Sequence, residues 1–248
     1  MYSATEGTVL PTTVIGSLPR PAWYTENLGM RRFREAMVNA RFREQYIDAV
    51  SAYLRDQETA GLDICTDGDC RFDDDVGGHS WFSYAPNHME GFSGARAYRY
   101  AGGRAGMAAQ RGHILHEVLE ARIMPDLVGP VARGDLQYTS VWKTAQRLTP
   151  RPVKFGTITA ELIAMAVRDD HYKDLRAAIM AISDALNEEL HELADAGCPA
   201  IQMEEPQIHL LAAKGLTDDV LNPEFMVEVF NSTVKGLRDK TEIWCHTC

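Results

Sequence analysis

The run Cys245-His246-Thr247-Cys248 places two thiols and an imidazole within four residues. As C-x-x-C it would be a redox pair, and that chemistry wants the first cysteine at a helix start, where the dipole lowers the thiol pKa. Residues 241–248 read instead as an apolar strand. Side chains alternate along a strand, so His246 and Cys248 share one face while Cys245 points the other way, into a helix layer. An imidazole and a thiolate on one face form half of a tetrahedral zinc site. The alternative is a buried core cysteine and histidine.

Carboxylates come next. Asp67-Gly68-Asp69 closes a short apolar run at 62–66, and Glu204-Glu205-Pro206 closes another at 200–203. Asp69 and Glu204 therefore stand where strands deliver functional groups. As a pair they could hold the ammonium of an amino-acid substrate, although carboxylates also cap helices. Asp73-Asp74-Asp75 reads as a solvated loop. His113, His116 and Glu117 lack the H-E-x-x-H order of zinc proteases and read as a helix surface. His79 and His88 sit in an aromatic-rich loop where they could touch substrate. Lys143 and Arg147 could meet an anionic group or pair with the abundant acids. The Gly77-Gly78 and Gly102-Gly103 pairs make no phosphate loop.

These groups need elements to position them. Residues 9–16 are β-branched and end in Gly16-Ser17-Leu18-Pro19, which predicts a buried strand and a loop. Residues 26–60 read as helix, stopped by Gly61. Residues 70–105 predict a long elaborated loop with a hairpin, and loops of that length are usually functional. A helix is expected over 108–124, and strands over 127–132, 141–145 and 153–159. Helices follow at 160–167 and 175–196, the second with Leu175, Ile179, Ile182, Leu186, Leu190 and Leu193 at helical steps. A strand at 200–203, a helix at 223–237 and the strand at 241–248 complete the chain.

Helix, glycine cap, strand and carboxylate thus recur around Gly61 and around Gly197. Strands alternating with helices argue for parallel α/β architecture. Carboxylates at the ends of separate strands suit a (β/α)8 TIM barrel, whose active sites lie there. A doubly wound sheet is the runner-up. About six core strands are countable, so the expectation is one catalytic barrel domain over 1–248 that stops after its sixth strand.

Composition narrows the class. The chain has 248 residues, 45% hydrophobic and 24% charged, which is ordinary globular usage. Its 25 basic and 35 acidic residues give a net charge of −10, which disfavours nucleic acid and anionic membranes as partners. The cluster Arg31, Arg32 and Arg34 reads as a solvated helix face. No apolar run approaches the ~18 residues of a membrane span. Five cysteines in so long a chain, without a secretory signal, predict a reducing, cytoplasmic setting.

Four segments, taken in order, resemble the C-terminal catalytic domain of the cobalamin-independent methionine synthase family. Thr12-Thr13-Val14-Ile15-Gly16-Ser17 resembles its opening T-T-x-I-G-S. The stretch from Gly61-Leu62-Asp63 to Gly68-Asp69 resembles G-L-D-x-x-x-x-G-E. Ile201-Gln202-Met203-Glu204-Glu205-Pro206 resembles I-Q-x-D-E-P, and His246-Thr247-Cys248 resembles the zinc motif H-x-C. The resemblance implies a barrel with zinc at its C-terminal face, where the metal keeps a substrate thiol as thiolate for attack on an electrophilic carbon. It implies His246 and Cys248 as zinc ligands, with the remaining ligands beyond Cys248. Ile15, Gly16 and Ser17 would hold a substrate carboxylate, and Asp69 and Glu204 its ammonium.

The implied activity is zinc-dependent alkyl or methyl transfer to a small-molecule thiol from an alkyl donor, as in 5-methyltetrahydropteroyltriglutamate–homocysteine methyltransferase and methionine biosynthesis. Two departures stand out. Asp69 replaces the family's Glu, and Glu204 its Asp. Residues 160–171 carry no tryptophan where methionine synthases stack one on the folate ring. Short single-barrel relatives include epoxyalkane:coenzyme M transferase, which opens an epoxide with a zinc-bound thiolate. Residues 19–24, Pro-Arg-Pro-Ala-Trp-Tyr, suit such relatives. A thiol- or metal-binding module without catalysis is the alternative of another class.

Overall fold

In a computed structural model, residues 3–29, 31–72, 80–100, 121–205 and 218–247 are described. Five segments of the chain run side by side in one direction, each next to its successor in sequence. Residues 12–18 lie along 62–68: Asp63 N and Ile64 N both donate to the Thr12 carbonyl at 3.1 Å, and Leu18 N donates to the Gly68 carbonyl at 3.0 Å. Cys65 makes a parallel bridge to Val153. Strand β3 (Phe155–Ile158) then pairs in parallel with β4 (Ala200–Glu204), and β4 with β5 (Glu242–His246). Among the described residues the order does not reverse, whereas a doubly wound sheet has a reversal point.

The first segment is not the buried strand its residues suggest. Val9 and Leu10 are 90% and 86% exposed. Residues 9–16 hold no strand, because the hydrogen bonds to 62–68 come singly rather than as a ladder. The long helix expected over 26–60 is three: α1 (Ala22–Leu28), α2 (Phe33–Val38) and α3 (Ala40–Thr59). Asn39 makes the last break, its side chain accepting from Arg41 N and Phe42 N as an N-cap. Gly61, at φ +81°, takes the left-handed turn that ends α3.

The expected loop at 70–105 contains α4 (Ser80–His88) and β1 (Glu90–Tyr100). The hairpin is present, but its second arm is β2 (Ala121–Ala132), antiparallel to β1. Residues 127–132 are therefore strand, though outside the parallel set. Of the helix expected at 108–124, residues 121–124 are strand and the remainder lies outside the described residues. Residues 141–145 are not strand either: they lie in helix α5 (Tyr138–Gln146). Tyr138, Val141, Trp142 and Ala145 are buried at steps of three and four, so the apolar run is the inner face of a helix. Residues 127–132 and 141–145 thereby leave the parallel set.

Helices α6 (Ala160–Ala166), α7 (Leu175–Asp195) and α8 (Pro223–Thr233) form where the sequence places them. Asp174 and Asn222 cap α7 and α8 with their side chains. Helix α7 packs on α5, α6, α8 and β2, and Leu186 on it is fully buried. The core runs continuously from the α1–α3 aromatics through β3 and β4 to α8. Among the described residues no helix is long and apolar enough to cross a membrane.

Candidate active site

Chemistry-bearing residues gather where the parallel segments end. The turn at 66–69 is tight: Asp67 Oδ1 accepts from Asp69 N at 2.9 Å, and Thr66 Oγ1 from Gly68 N at 3.0 Å. Gly68 is required there. Its φ is +70°, and a Cβ would meet the Tyr53 ring at 3.0 Å. The turn holds Asp69 itself in the left-handed region, at φ +50°. Ser17 Oγ donates to Asp69 Oδ2 at 2.9 Å. Arg71, 1% exposed, reaches Asp67 at 3.1 Å and Asp69 Oδ1 at 3.0 Å. It also donates to the Gly156 carbonyl at 2.8 Å and lies 3.9 Å from the Phe155 ring centre. Arg20 Nη2 donates to the Asp69 carbonyl at 2.9 Å.

Glu204 ends β4 and His246 ends β5, in register as parallel neighbours. Glu204 Oε2 is hydrogen-bonded to His246 Nδ1. Between Asp69 and Glu204 lies Gly156 of β3. A Cβ built there would stand 3.8 Å from Asp69 Oδ1 and 3.8 Å from Glu204 Oε1, with no closer neighbour. Two buried carboxylates thus flank the position that a side chain would take at a glycine, each at van der Waals contact distance from it. Burial lifts the Asp69 carboxyl from its ordinary 3.8 to about 6; Arg71 and Ser17 act against that rise, while Asp67 and Glu204 add to it.

The structure therefore brings Ser17, Asp69, Glu204 and His246 to one end of the parallel set. Gly16, at φ +81°, turns the chain beside Ser17, and Ile15 is more than half exposed. Cys248 lies outside the described residues, as do Asp73 to Asp75, His79, His113, His116, Glu117 and both glycine pairs. Cys245 stands beside Met203, on the face turned from His246, as alternation requires. It is exposed rather than covered by helices, in a groove with Phe230, Arg238 and Trp244. His88 is buried and stacked on Tyr84 with ring centres 4.0 Å apart, on the wall of a separate cavity of about 790 Å3 that contains none of the acidic pair. Lys143 and Arg147 are exposed on α5 and its C-cap.

Arg71, Arg20, Gly156, Lys154 and Gln202 were not singled out from sequence. For three of them a signal exists. Strand alternation places 154 with 156 and 202 with 204. Arg71, two residues beyond Asp69, carries no such mark.

The donor set bears on zinc directly. Glu204 occupies His246 Nδ1, so Nε2 is the ring nitrogen left to a metal, and a carboxylate behind a ligating histidine is the usual support for one. Among the described residues no group of three or more His, Cys, Asp or Glu is placed to hold an ion. A neutral imidazole nitrogen with such support is a donor of the kind that zinc accepts.

A parallel α/β chain with a paired carboxylate, a glycine and a supported histidine at its strand ends defines the class. Residues 10–248 match the family described as cobalamin-independent synthase, catalytic domain, and the chain belongs to that family. It is 27% identical over 244 residues to a 2-hydroxypropyl-CoM lyase of Xanthobacter autotrophicus, covering 98% of this chain and 57% of that protein. It is 29% identical over 252 residues to a methionine synthase of Sulfolobus acidocaldarius, covering 98% of this chain and 62% of that one. The structure of a B12-independent methionine synthase from Shewanella sp. W3-18-1 superposes with a TM-score of 0.72 at 24% identity, over 97% of this chain and 62% of that one. The chain thus spans about three-fifths of the length of these relatives.

Proposed function

We propose that this chain carries the substrate-thiol half of a zinc-dependent alkyl transfer, with an amino-acid thiol such as homocysteine as acceptor. The carrying observation is the pair Asp69 and Glu204 flanking Gly156, which offers two carboxylate oxygens to one ammonium. Arg71 and Ser17 favour the ionised form of Asp69 against its burial. Ser17 and Arg71 fix its two oxygens. Because the Ser17 hydroxyl is engaged by Asp69, a substrate carboxylate falls to the backbone N–H groups of Ile15, Gly16 and Ser17. His246 Nε2 and Cys248 would hold zinc, with two further donors completing the tetrahedron. Bound zinc would supply a thiolate at neutral pH. In this reading the five parallel segments are consecutive staves of a (β/α)8 barrel over a single domain, working in a reducing cytoplasm.

A second reading is epoxide opening by a zinc-bound coenzyme M thiolate. It is supported by the similarity to a CoM lyase and by an α6 segment without tryptophan. Coenzyme M has no ammonium, so the carboxylate pair favours the first reading. Calorimetric titration of zinc-loaded protein with homocysteine, with the same thiol acid lacking the amine and with coenzyme M separates them. Homocysteine binding at least tenfold tighter than its deaminated analogue supports the proposal. Equal affinity, or preference for coenzyme M, refutes the amine site. Full-length protein purified without chelator and devoid of zinc by elemental analysis refutes the metal reading and leaves a thiol-binding module, whereas this chain by itself, with two of the four ligands, is expected to hold zinc weakly.

A further inference from the structure

We propose that Arg71 is a specificity-determining positioning residue: its guanidinium is the spacer that fixes Asp69 against Gly156, and with it the preference for a thiol that carries an ammonium group. The role rests on the amine site proposed above. Arg71 is 1% exposed. Its fork meets three partners at once: Nε reaches Asp67 Oδ2 at 3.1 Å, Nη1 donates to the Gly156 carbonyl at 2.8 Å, and Nη2 reaches Asp69 Oδ1 at 3.0 Å. That Asp69 oxygen is the one that faces Gly156 opposite Glu204. The centre of the Phe155 ring lies 3.9 Å from Cζ, so the guanidinium is also backed by an aromatic face.

Strand geometry explains why a side chain is needed there. Cys65 N donates to the Pro152 carbonyl at 2.9 Å and Lys154 N to the Cys65 carbonyl at 3.0 Å, the pattern of a parallel ladder. Continued in steps of two residues, that ladder would bring Asp69 N to the Gly156 carbonyl. The turn at 66–69 diverts Asp69 N to Asp67 Oδ1, 2.9 Å away, and Arg71 takes the carbonyl in its place. Asp69 and β3 are therefore linked by a rigid planar group of fixed length. Burial opposes the Arg71 charge, but Asp67 and Asp69 raise its pKa overall, so the fork is charged and each of its nitrogens is a donor. Lysine carries the same charge on a single atom and cannot span these acceptors. Arg71 thus supplies a distance as well as a charge, and the two can be separated by substitution.

The test is calorimetric titration of zinc-loaded full-length protein, native and Arg71→Lys, with homocysteine and with its deaminated analogue. Expected is homocysteine weakened about 10-fold or more by Arg71→Lys, with the analogue within about twofold of its native affinity. A folded Arg71→Lys that keeps the native preference overturns the proposal, since charge alone then suffices. Nitrogen NMR of ligand-free protein labelled at arginine reads the spacer without substrate. Separate Nη1 and Nη2 resonances are expected for Arg71, and a single averaged resonance means that the fork rotates and overturns the proposal. Where Arg71→Lys does not fold, Phe155→Leu removes the ring that backs the fork. Merged Nη resonances and a smaller homocysteine preference are then expected, and an unchanged preference beside merged resonances overturns the proposal. A native protein that binds both thiols equally refutes the amine site and the specificity assigned to Arg71 together. A native preference that survives Arg71→Lys refutes the role of Arg71 and leaves the amine site standing.

Discussion

Substituting Gly156→Ala adds one methyl to the space between Asp69 and Glu204. The new carbon would sit 3.8 Å from each carboxylate oxygen, an ordinary contact, so nothing must move to admit it. Gly156 also lies outside the left-handed region, so alanine adopts its backbone without strain. Gly→Ala at such a site stabilises by about 0.4–1 kcal/mol through the unfolded chain, and the methyl beside two carboxylates offsets part of that. Net stability should therefore change by less than about 1 kcal/mol in urea denaturation, within the range expected of a substitution that creates no clash. Binding should respond differently. An ammonium shared by the two carboxylates makes a hydrogen bond to each, worth about 1.5–3 kcal/mol for a charged partner. Crowding the shared space should cost about one of them, which weakens homocysteine about 10- to 150-fold by calorimetry. The thiol acid without an amine should bind the variant as it binds the native protein. Unchanged homocysteine affinity in a folded variant refutes the amine site. A loss of more than about 2 kcal/mol in stability refutes the geometry of an unfilled space.

Asp69→Asn should reveal a stability cost of ionisation. The Asp69 carboxyl titrates near 6 folded against 3.8 unfolded, so its stabilising contribution is full below 3.8 and lost as pH rises through 6. Relative to native protein, the variant should gain on the order of 3 kcal/mol between pH 3.5 and 7.5 in paired denaturation curves, and a flat or reversed difference contradicts the burial argument. Leu186→Ala should lose about 2–5 kcal/mol in urea midpoint analysis, because a fully buried leucine on α7 leaves a cavity; a change under about 1 kcal/mol means the site collapses around the gap. In the full-length protein Cys248→Ser should remove most bound zinc in elemental analysis and Cys245→Ser should spare it, since Cys245 faces away from His246; the opposite result returns the C-x-x-C pair to consideration.

Periodicity made α7 legible residue by residue, because one long apolar stripe has one way to be buried. The strand that ends at Glu204 was legible for a similar reason: a short apolar run between a glycine cap and an acid has few local alternatives. The matching run at 62–66 before Asp69 forms only a single bridge, from Cys65 to Val153, rather than a strand. The family motifs lie on those same units. Shorter signals failed where local sequence has two readings. The apolar run at 141–145 serves a strand or the inner face of a helix, and only packing beneath Tyr138 and Trp142 decides. Val9 and Leu10 have strand-forming side chains, but a strand exists only when a neighbour offers a ladder, and none is offered there.

The sequence by itself thus determined the parallel α/β class, most of the helices, and Glu204 and His246 at the ends of strands. Tertiary structure alone decided what those groups do to one another. Arg71 lies two residues from Asp69 in sequence, yet it reaches the carbonyl of Gly156, 85 residues away. Lys154, Gln202, Glu204 and His246 become one hydrogen-bonded row only because β3, β4 and β5 pair in this register. A shift of one residue would send every second side chain to the opposite face and dissolve the row. The space above Gly156 is likewise invisible in the sequence, since a glycine is informative only once the atoms that surround its absent side chain are known.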